Sequence, residues 1–283
     1  MSPVDDHALA AALAERAGKL LLGLRAQGGD PTALKDAGDR QSHEFLMAEL
    51  AMARPADAVL SEEGVDDKGR LTADRVWIVD PLDGTREFGE PGRKDWAVHV
   101  ALWARDASAG PGQLIAGAVA LPAQNRVLST VTPMAHPAEG VAERPDRRGY
   151  FGRPSEGAPA EMSAGPGAQR LRMVVSRSRA SSLVKEVAAR INAELVPWGS
   201  AGAKVATVVL GENDIYLHSG GFYEWDTAAP VAVARANGFY VSRIDGSPVT
   251  YNQEDPLLPD ILVCRPAIAP AVLNAIRETT HAI

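Results

Sequence analysis

The chain has 283 residues, of which 46% are hydrophobic and 23% are charged, and its formal net charge is −7. This is an ordinary globular composition with enough apolar residues for a sizeable core, and an acidic chain without a basic block argues against nucleic acid as the main partner. A phosphorylated substrate is still allowed, because bound metal ions reverse the local charge. The one cysteine, Cys264, cannot form an internal disulfide. Asp5 and Asp6 lie where a signal peptide would be basic, and no apolar run could span a membrane, so we expect a cytoplasmic protein without membrane contact.

The first part of the chain predicts two helices followed by a group of strands. Leucines at helical spacing indicate an amphipathic helix over 7–26, and a second helix is predicted over 38–53 with Asp39 in its first turn. Short apolar runs predict strands at 58–61, 76–79, 96–103, 114–121 and 126–131. The last three strands are typical of an antiparallel meander.

Residues 132–170 interrupt this pattern. They are rich in Pro, Gly, Ala, Glu and Arg, which predicts a loop or linker with one short strand near Tyr150 and Phe151. We therefore predict a boundary between an N-terminal α+β half at 1–150 and a C-terminal α/β half at 151–283.

Strands and helices alternate in the second half. The predicted strands are at 171–175, 194–197, 214–217, 239–242 and 261–264, and the predicted helices are at 182–191, 203–210, 225–236 and 266–279. This alternation indicates a second system of α/β layers.

The most informative stretch is an apolar strand that runs into Asp80-Pro-Leu-Asp-Gly-Thr85. Pro81 fixes its own φ and pushes Asp80 toward an extended conformation, so the predicted strand ends at Asp80 and delivers both Asp80 and Asp83 to its end. The two carboxylates repel each other and favour a cation between them, and hard divalent cations bind such oxygens. The string alone also fits a simple turn, because proline, aspartate and glycine are all turn formers.

Other carboxylates lie where they can converge with this pair. Glu62 follows a strand, whereas Asp39 and Asp226 come at predicted helix starts, where an aspartate can equally be an N-cap. Convergence without metal is costly, so it would imply two or three Mg²⁺ ions. Such a site suits transfer of a phosphoryl group to water: Thr85 can hydrogen-bond the water, while the Gly84 and Thr85 amides hold phosphate oxygens.

Two further segments can contact anions. Ser176-Arg-Ser-Arg179 follows a strand and is either a phosphate contact or a solvated turn. In Gly199-Ser-Ala-Gly-Ala-Lys204, Ser200 is a predicted helix cap, and free amides with Lys204 can hold a second anion. The histidines have no metal-ligand spacing, and the chain has neither a Walker A motif nor Gly-x-Gly-x-x-Gly between a strand and a helix. These absences argue against a zinc site, an NTPase and a dinucleotide oxidoreductase.

Three motifs together resemble a known family. Val79-Asp-Pro-Leu-Asp-Gly-Thr85, with Ser61-Glu-Glu63 upstream and Trp225-Asp-Thr-Ala-Ala229 downstream, resembles the Mg²⁺-dependent, lithium-sensitive phosphatases of the inositol monophosphatase superfamily. The resemblance implies a layered αβαβα sandwich of the inositol monophosphatase and fructose-1,6-bisphosphatase type, with the site between its two halves. It implies Mg²⁺ ligands at Glu62, Asp80, the Leu82 carbonyl, Asp83 and Asp226.

The resemblance also implies roles for the residues around the metals. Asp39 and Thr85 would position the nucleophilic water, Glu62 could also activate it, and Gly84 and Thr85 would take the scissile phosphate. On this reading the first half carries the metal-binding motifs, and the second half supplies Asp226 and substrate contacts. The substrate-binding positions that follow are Gly84, Thr85, Arg86, Ser176, Arg177, Arg179, Ser200, Lys204 and Glu224.

Within the superfamily, Gly84-Thr-Arg-Glu-Phe88 is similar to the bisphosphate nucleotidase branch of the CysQ type. That branch removes the 3′-phosphate of 3′-phosphoadenosine 5′-phosphate (PAP), leaving AMP, and acts on its sulfated form (PAPS). The basic residues Arg177, Arg179 and Lys204 suit a second phosphate. Alternatives are a broader phosphatase of inositol 1-phosphate or fructose-1,6-bisphosphate, and a catalytically silent nucleotide-binding regulator. The regulator is disfavoured because every implied ligand position holds a competent residue. A homodimer is one option for the assembly.

Overall fold

Two long helices open the structure, a computed structural model that describes residues 5–106, 112–131, 170–178 and 180–280. They are α1 (Asp6–Gln27) and α2 (Pro31–Ala53). Asp30 caps α2 by accepting hydrogen bonds from the backbone N–H groups of Thr32 and Ala33, and Pro31 occupies the first turn, where a missing donor costs little. The predicted start at residue 38 is therefore wrong. Asp39 lies well inside the helix and not in its first turn, because Gly-Gly-Asp-Pro both ends α1 and begins α2.

The first sheet contains five strands in the order β1-β2-β3-β4-β5, with β1 parallel to β2 and the other neighbours antiparallel. Its strands are β1 (Ala58–Ser61), β2 (Arg75–Asp83), β3 (Ala97–Ala104), β4 (Gln113–Leu121) and β5 (Arg126–Ser129). The predicted meander is confirmed, but the predicted end of β2 at Asp80 is wrong. The strand continues to Asp83 with an irregular register between Asp80 and Asp83, and the short helix α3 (Thr85–Gly89) follows it.

The second sheet has the order β7-β6-β8-β10-β9, in which β6 is parallel to both of its neighbours and β10 is antiparallel to both of its own. The elements in chain order are β6 (Arg172–Ser176), α4 (Ser182–Arg190), β7 (Glu194–Trp198), α5 (Ala201–Val209), β8 (Ile215–Tyr223), α6 (Glu224–Ala236), β9 (Tyr240–Ser242), β10 (Leu257–Cys264) and α7 (Ala269–Thr280). The predicted alternation of strands and helices is confirmed. Strands β8 and β10 are longer than the sequence predicted.

Three apolar clusters join these elements into five layers. On β2, Trp77 and Val79 pack against α1 and α2, whereas Val76 and Ile78 face α5 and α6. The second sheet packs its inner face on α5 and α6 and its outer face on α4 and α7. The layers therefore run α1/α2, first sheet, α5/α6, second sheet, α4/α7, which confirms the αβαβα sandwich. Since successive strand residues alternate faces, Asp80 follows Val76 and Ile78 toward the central helices.

Part of the predicted organisation falls outside the described residues. These are the linker at 132–170, the short strand near Tyr150 and Phe151, and the division at 150/151, all of which stay predictions. Among the helices that the structure describes, none combines the length and apolar character that crossing a bilayer would need.

Candidate active site

A cavity of ≈ 340 Å³ lies where the ends of β2, β6 and β8 meet the first turns of α3, α5 and α6. Most of the site residues predicted from sequence line it: Glu62, Asp80, Leu82, Asp83, Gly84, Thr85, Arg86, Ser176, Arg177, Ser200, Lys204 and Asp226. Of the remaining three, Asp39 and Glu224 are not among the lining residues, and Arg179 is outside the described part of the chain. The cavity thus gathers acidic groups from several elements that are far apart in sequence.

Glu62 and Asp80 are carboxyl groups that face other carboxyl groups. Burial, followed by the nearby charges of Glu62 and Asp83, raises the pKa of Asp80 well above its ordinary value of 3.8. Burial and the charge of Asp226 raise the pKa of Glu62 from 4.5 to about 7. Each rise means that the charged form is disfavoured where the side chain lies. A bound cation would relieve this repulsion, so the set fits a hard divalent metal ion, for which carboxylate oxygens are preferred ligands.

Asp83 has a different environment at the same end of the cavity. Its Oδ2 accepts hydrogen bonds from the Ser200 hydroxyl at 2.5 Å and the Gly202 amide at 2.8 Å. His99 Nε2 lies 3.2 Å from the same oxygen, although not in hydrogen-bond alignment. Burial alone would raise the pKa of Asp83, but His99, Lys204 and the Ser200 hydrogen bond outweigh it and lower the pKa. Asp83 is therefore a stabilised carboxylate beside two destabilised ones.

His99 is a residue of this site that the sequence did not reveal. It lies on β3, is fully buried, and its Nδ1 is 3.1 Å from the carbonyl oxygen of Trp225 at the start of α6. One oxygen or nitrogen from each of Asp80, Asp83 and His99 lies within 4.8 Å of the others, a spacing that suits metal binding. The signal was present, since His99 occupies an inward-facing position in an otherwise apolar strand, at the spacing of Ala97 and Ala101.

Thr85 and Asp39 form a pair behind the acidic end of the cavity. The Thr85 hydroxyl lies 3.3 Å from Asp39 Oδ1 and 3.1 Å from the Leu82 carbonyl oxygen, either of which can accept its single proton. Burial and the charge of Glu63 raise the pKa of Asp39 to about 6. Gly84, which precedes Thr85, has a φ of 87°, and a Cβ there would lie 3.2 Å from both the Asp95 carbonyl and the Ser200 side chain. Only glycine suits this conformation without strain.

Ser200 and Lys204 behave as a helix start with a buried cation. The Ser200 hydroxyl accepts a hydrogen bond from the Ala203 amide at 2.9 Å, which confirms the predicted cap of α5. The ammonium group of Lys204 donates to the carbonyl oxygens of Gly199 and Ser200 at 3.0 and 2.9 Å. It also lies 5.4 Å from the centre of the Tyr216 ring, close enough for a cation–π interaction. Lys204 therefore brings a positive charge to the cavity from a position held by three contacts.

Arg177 lines the cavity, but carboxylates of the first half of the chain hold its guanidinium group. It donates to Glu87 at 2.7 Å and to both carboxylate oxygens of Glu90 at 2.7 and 2.8 Å. The contacts join the end of β6 to α3 and the residue after it. Arg177 thus reaches across the cavity wall, and a phosphate would have to compete with two carboxylates for it.

Comparisons with known proteins identify the family in which this arrangement of residues occurs. The model of the inositol monophosphatase family matches residues 6–281. The chain belongs to the inositol monophosphatase family. It is 48% identical over 267 residues to the 3′-phosphoadenosine 5′-phosphate phosphatase of Mycobacterium bovis, a match that covers 93% of this chain and 90% of the relative. It is 30% identical over 226 residues to the 3′(2′),5′-bisphosphate nucleotidase CysQ of Escherichia coli, with coverage of 78% and 81%.

A solved structure agrees with these relatives. CysQ from Bacteroides thetaiotaomicron, a bacterial member of the inositol monophosphatase family, matches with a TM-score of 0.67 and 27% sequence identity. The match covers 91% of this chain and 96% of that one. The five-layered architecture is thus the fold of the inositol monophosphatase family.

In this member of the inositol monophosphatase family, one side of the cavity is aromatic. Tyr216, His218 and Phe222 of β8 line it, and the His218 ring lies 6.4 Å from Tyr216 and 4.7 Å from Phe222, measured between centroids. Tyr216 and His218 are two residues apart in β8 and therefore lie on the same face of the strand. Gly220 and Gly221, both with positive φ, precede Phe222. The sequence did not reveal this wall, because the predicted strand ended at residue 217.

Glu224 lies beside the cavity rather than in it. Its two carboxylate oxygens accept hydrogen bonds from the backbone amides of Asn252 and Gln253, at 2.7 and 2.8 Å. The Asn252 side chain in turn accepts from Arg70 at 2.8 Å. Glu224 is therefore engaged in holding a loop against the start of α6, and the substrate contact predicted for it stays a prediction.

Proposed function

We propose that this chain is a Mg²⁺-dependent phosphatase that removes the 3′-phosphate of PAP to leave AMP, and that of PAPS to leave adenosine 5′-phosphosulfate. The observation that carries the proposal is the convergence of Glu62, Asp80, Asp83 and Asp226 in one cavity with Lys204. The sequence relatives support the choice of substrate, because the Mycobacterium bovis protein is named a 3′-phosphoadenosine 5′-phosphate phosphatase and the Escherichia coli protein a 3′(2′),5′-bisphosphate nucleotidase.

The donor set fits two or three Mg²⁺ ions. All of its atoms are oxygens, from four carboxylates and the Leu82 carbonyl, which are the ligands that Mg²⁺ prefers. When bound, the metal ions would neutralise the phosphate and lower the pKa of a water molecule. The residues that would hold them are Glu62, Asp80, Leu82, Asp83 and Asp226.

Two acidic groups of the chain are suited to take the proton of the attacking water. In the metal-free protein the pKa of Glu62 is raised to about 7 and that of Asp39 to about 6, so each is a stronger base than an ordinary carboxylate. A bound cation would lower the pKa of Glu62, one of its ligands, more than that of Asp39. Asp39 acts through the hydroxyl of Thr85, which it contacts at 3.3 Å. Asp39 and Thr85 would orient the water, and Glu62 would accept its proton or share that role with them.

The other side of the cavity fits a nucleotide better than a cyclitol phosphate. Tyr216, His218 and Phe222 offer aromatic surface for a purine base, and stacking of this kind tolerates any flat base. Lys204 supplies positive charge for a second phosphate or for the sulfate of PAPS. The proposed substrate therefore places its 3′-phosphate at the acidic end and its base at the aromatic wall.

The test is phosphate release with Mg²⁺, measured with and without chelator on PAP, fructose-1,6-bisphosphate and inositol 1-phosphate at matched concentrations. A chelator-sensitive preference for PAP is the expected result. Equal or higher rates on the other two substrates would replace this proposal with a broad phosphatase. Binding of PAP without release of phosphate from any substrate would favour a nucleotide-binding regulator. The cytoplasmic location and the homodimer stay predictions, and light scattering of the purified protein would test the homodimer.

A further inference from the structure

The contacts of Asp83 are unevenly shared between its two carboxylate oxygens. The Ser200 hydroxyl, the Gly202 amide and the His99 ring all approach Oδ2, at 2.5, 2.8 and 3.2 Å. A carboxylate that accepts two hydrogen bonds at one oxygen and meets a buried ring there has little freedom to rotate about its Cβ–Cγ bond. The other oxygen, Oδ1, is therefore the one left to serve a ligand in the cavity.

His99 is itself held at its other ring nitrogen. Its Nδ1 lies 3.1 Å from the carbonyl oxygen of Trp225, and because a carbonyl oxygen can only accept, Nδ1 carries the proton of this hydrogen bond. The ring is fully buried between β3 and the first turn of α6. It therefore connects Asp83 on β2 with the residue that precedes Asp226, a predicted metal ligand from the other half of the chain.

The neighbouring helix leaves room for the ring at one position. A Cβ built on Gly202 would lie 2.0 Å from His99 Nε2, which is far inside van der Waals contact. Gly202 has an ordinary helical conformation in α5 and is not among the residues with positive φ. Glycine is thus required at 202 for the space that the His99 ring occupies and not for its backbone angles.

We propose that His99 is a positioning residue that fixes Asp83 Oδ2, together with Ser200 and Gly202, so that Asp83 offers Oδ1 alone to a bound metal ion. The inference rests on the proposed metal-dependent function. On this proposal His99 acts through Asp83 rather than as a ligand: its Nδ1 donates to the Trp225 carbonyl, and its Nε2 lies against the oxygen that Ser200 and Gly202 hold. Outer residues of this kind orient the ligands, and their loss weakens metal binding by roughly 10- to 100-fold.

The first experiment measures Mg²⁺ binding to the metal-free protein by calorimetry, without substrate or turnover. We expect His99→Phe, which cannot hydrogen-bond the Trp225 carbonyl, to weaken Mg²⁺ binding by roughly 10-fold or more. His99→Gln, whose amide can donate to that carbonyl in place of Nδ1, should recover part of the loss. The matched control is His7→Phe. It removes a half-buried imidazole that contacts the Thr130 hydroxyl at 2.7 Å and lies away from the cavity. Unchanged Mg²⁺ affinity in a folded His99→Phe protein would overturn the proposal.

A second approach reaches the same contact without removing the histidine. Gly202→Ala would push the ring from Asp83 and weaken Mg²⁺ binding in the parent protein, but would add little to the loss in His99→Ala, where the side chain that clashes is absent. This non-additivity is expected of two residues in direct contact. Fully additive effects of Gly202→Ala and His99→Ala on Mg²⁺ affinity would count against the proposal. Because Gly202→Ala keeps the histidine, this test also remains available if His99→Phe does not fold.

The metal itself can report whether His99 is a ligand. With Mn²⁺ in place of Mg²⁺, we expect electron spin echo spectra of the parent protein to lack the modulation of a directly bound histidine nitrogen. Such a modulation, abolished by His99→Gln, would make His99 a ligand and overturn its positioning role. A parent protein that binds neither Mg²⁺ nor Mn²⁺ would instead refute the proposed function. Parent and variants that bind the metal equally well would refute only the positioning role of His99.

Discussion

Two groups of carboxylates lie close together in this molecule and have opposite surroundings. Glu224 has a backbone amide for each of its oxygens, at 2.7 and 2.8 Å, and Arg70 nearby. Glu62 and Asp80 face each other and Asp226, and the pKa of each is raised by burial and by these neighbouring charges. Burial also raises the pKa of Glu224, but its two amides oppose the rise.

The difference separates a structural acid from a ligand. A buried carboxylate with a protein donor on each oxygen, such as Glu224, stabilises the fold. A carboxylate such as Asp80, which accepts from the Leu82 amide at one oxygen and meets other carboxylates, destabilises the fold until a cation arrives. Sequence position does not distinguish the two, since Glu224 and Asp226 are two residues apart in the same first turn of α6. The hydrogen-bond and charge partners of each carboxylate do distinguish them. Four experiments can test this distinction between structural acids and metal ligands.

The largest effect is expected from Asp80→Asn. The variant should lose phosphatase activity by about 10³-fold or more, because metal ions supply several kcal/mol of transition-state stabilisation. The metal-free variant should melt at the same temperature as the parent or higher, since a like-charge repulsion is removed. Mg²⁺ should raise the melting temperature of the parent more than that of the variant. Near-normal turnover, or a clear loss of metal-free stability, would place Asp80 with the structural acids.

Glu224→Ala should have the reverse profile. Two buried amides lose their acceptor, so we expect a loss of about 1–3 kcal/mol in the free energy of unfolding, measured by urea denaturation. The folded fraction should still bind Mg²⁺. Glu49→Ala is the control, because Glu49 pairs with Arg16 at the surface and should contribute under about 1 kcal/mol. A Glu224→Ala protein of full stability that binds PAP poorly would restore the predicted substrate role of Glu224.

Phe222→Ala should leave both groups of carboxylates unchanged and alter substrate choice. Loss of stacking on a base is worth about 1–3 kcal/mol, so we expect kcat/KM for PAP to fall roughly 10-fold relative to that for inositol 1-phosphate. The Mg²⁺ dependence should stay that of the parent. Phe45→Ala, a truncation on α2 away from the cavity, is the matched control. Equal losses on both substrates would mean that the aromatic wall only supports the fold.

The smallest effect concerns pH in the presence of a chelator. The pKa of Glu62 is raised from 4.5 to about 7, so the folded metal-free protein holds this proton more tightly than the unfolded chain. Its contribution is present in full below pH 4.5 and is lost as the pH rises toward 7. Because the Glu62 residue is exposed, solvent screens much of this effect, and we expect the melting temperature of the metal-free protein to fall only slightly over this range. Glu62→Gln should flatten the fall, and an identical slope in that variant would contradict the raised pKa.

Much of the acidic site could be predicted from the sequence because its residues lie at the ends of elements. Asp83 is the last residue of β2 and Glu62 follows β1, and such positions face the crevice at the end of a sheet whatever the rest of the fold does. The start of α2 was misplaced because one Gly-Gly-Asp-Pro string both ends a helix and begins another. That error did not hide Asp39, since its contact with Thr85 depends on the helix axis and not on its first residue.

The remaining features depend on contacts between distant segments. Arg177 pairs with Glu87 and Glu90, about 90 residues earlier in the chain, and no local pattern encodes such a pair. His99 in a strand has the same appearance whether it faces an apolar core or a carboxylate. Both contacts arise only when the second sheet is placed against the first through the central helices.

That central helical layer also has a consequence for how the chain folds. Helices α5 and α6 come late in the sequence, yet they complete the core of the first sheet, against Val76, Ile78 and Ala101. A fragment ending at residue 150 would expose this apolar face to water and would be prone to aggregate. We expect the two sheets to fold and unfold together, slowly, through long-range contacts. The proposed metal ligands, which come from positions as far apart as Glu62 and Asp226, would then come together last. Metal binding would therefore measure the fraction of molecules that have folded completely.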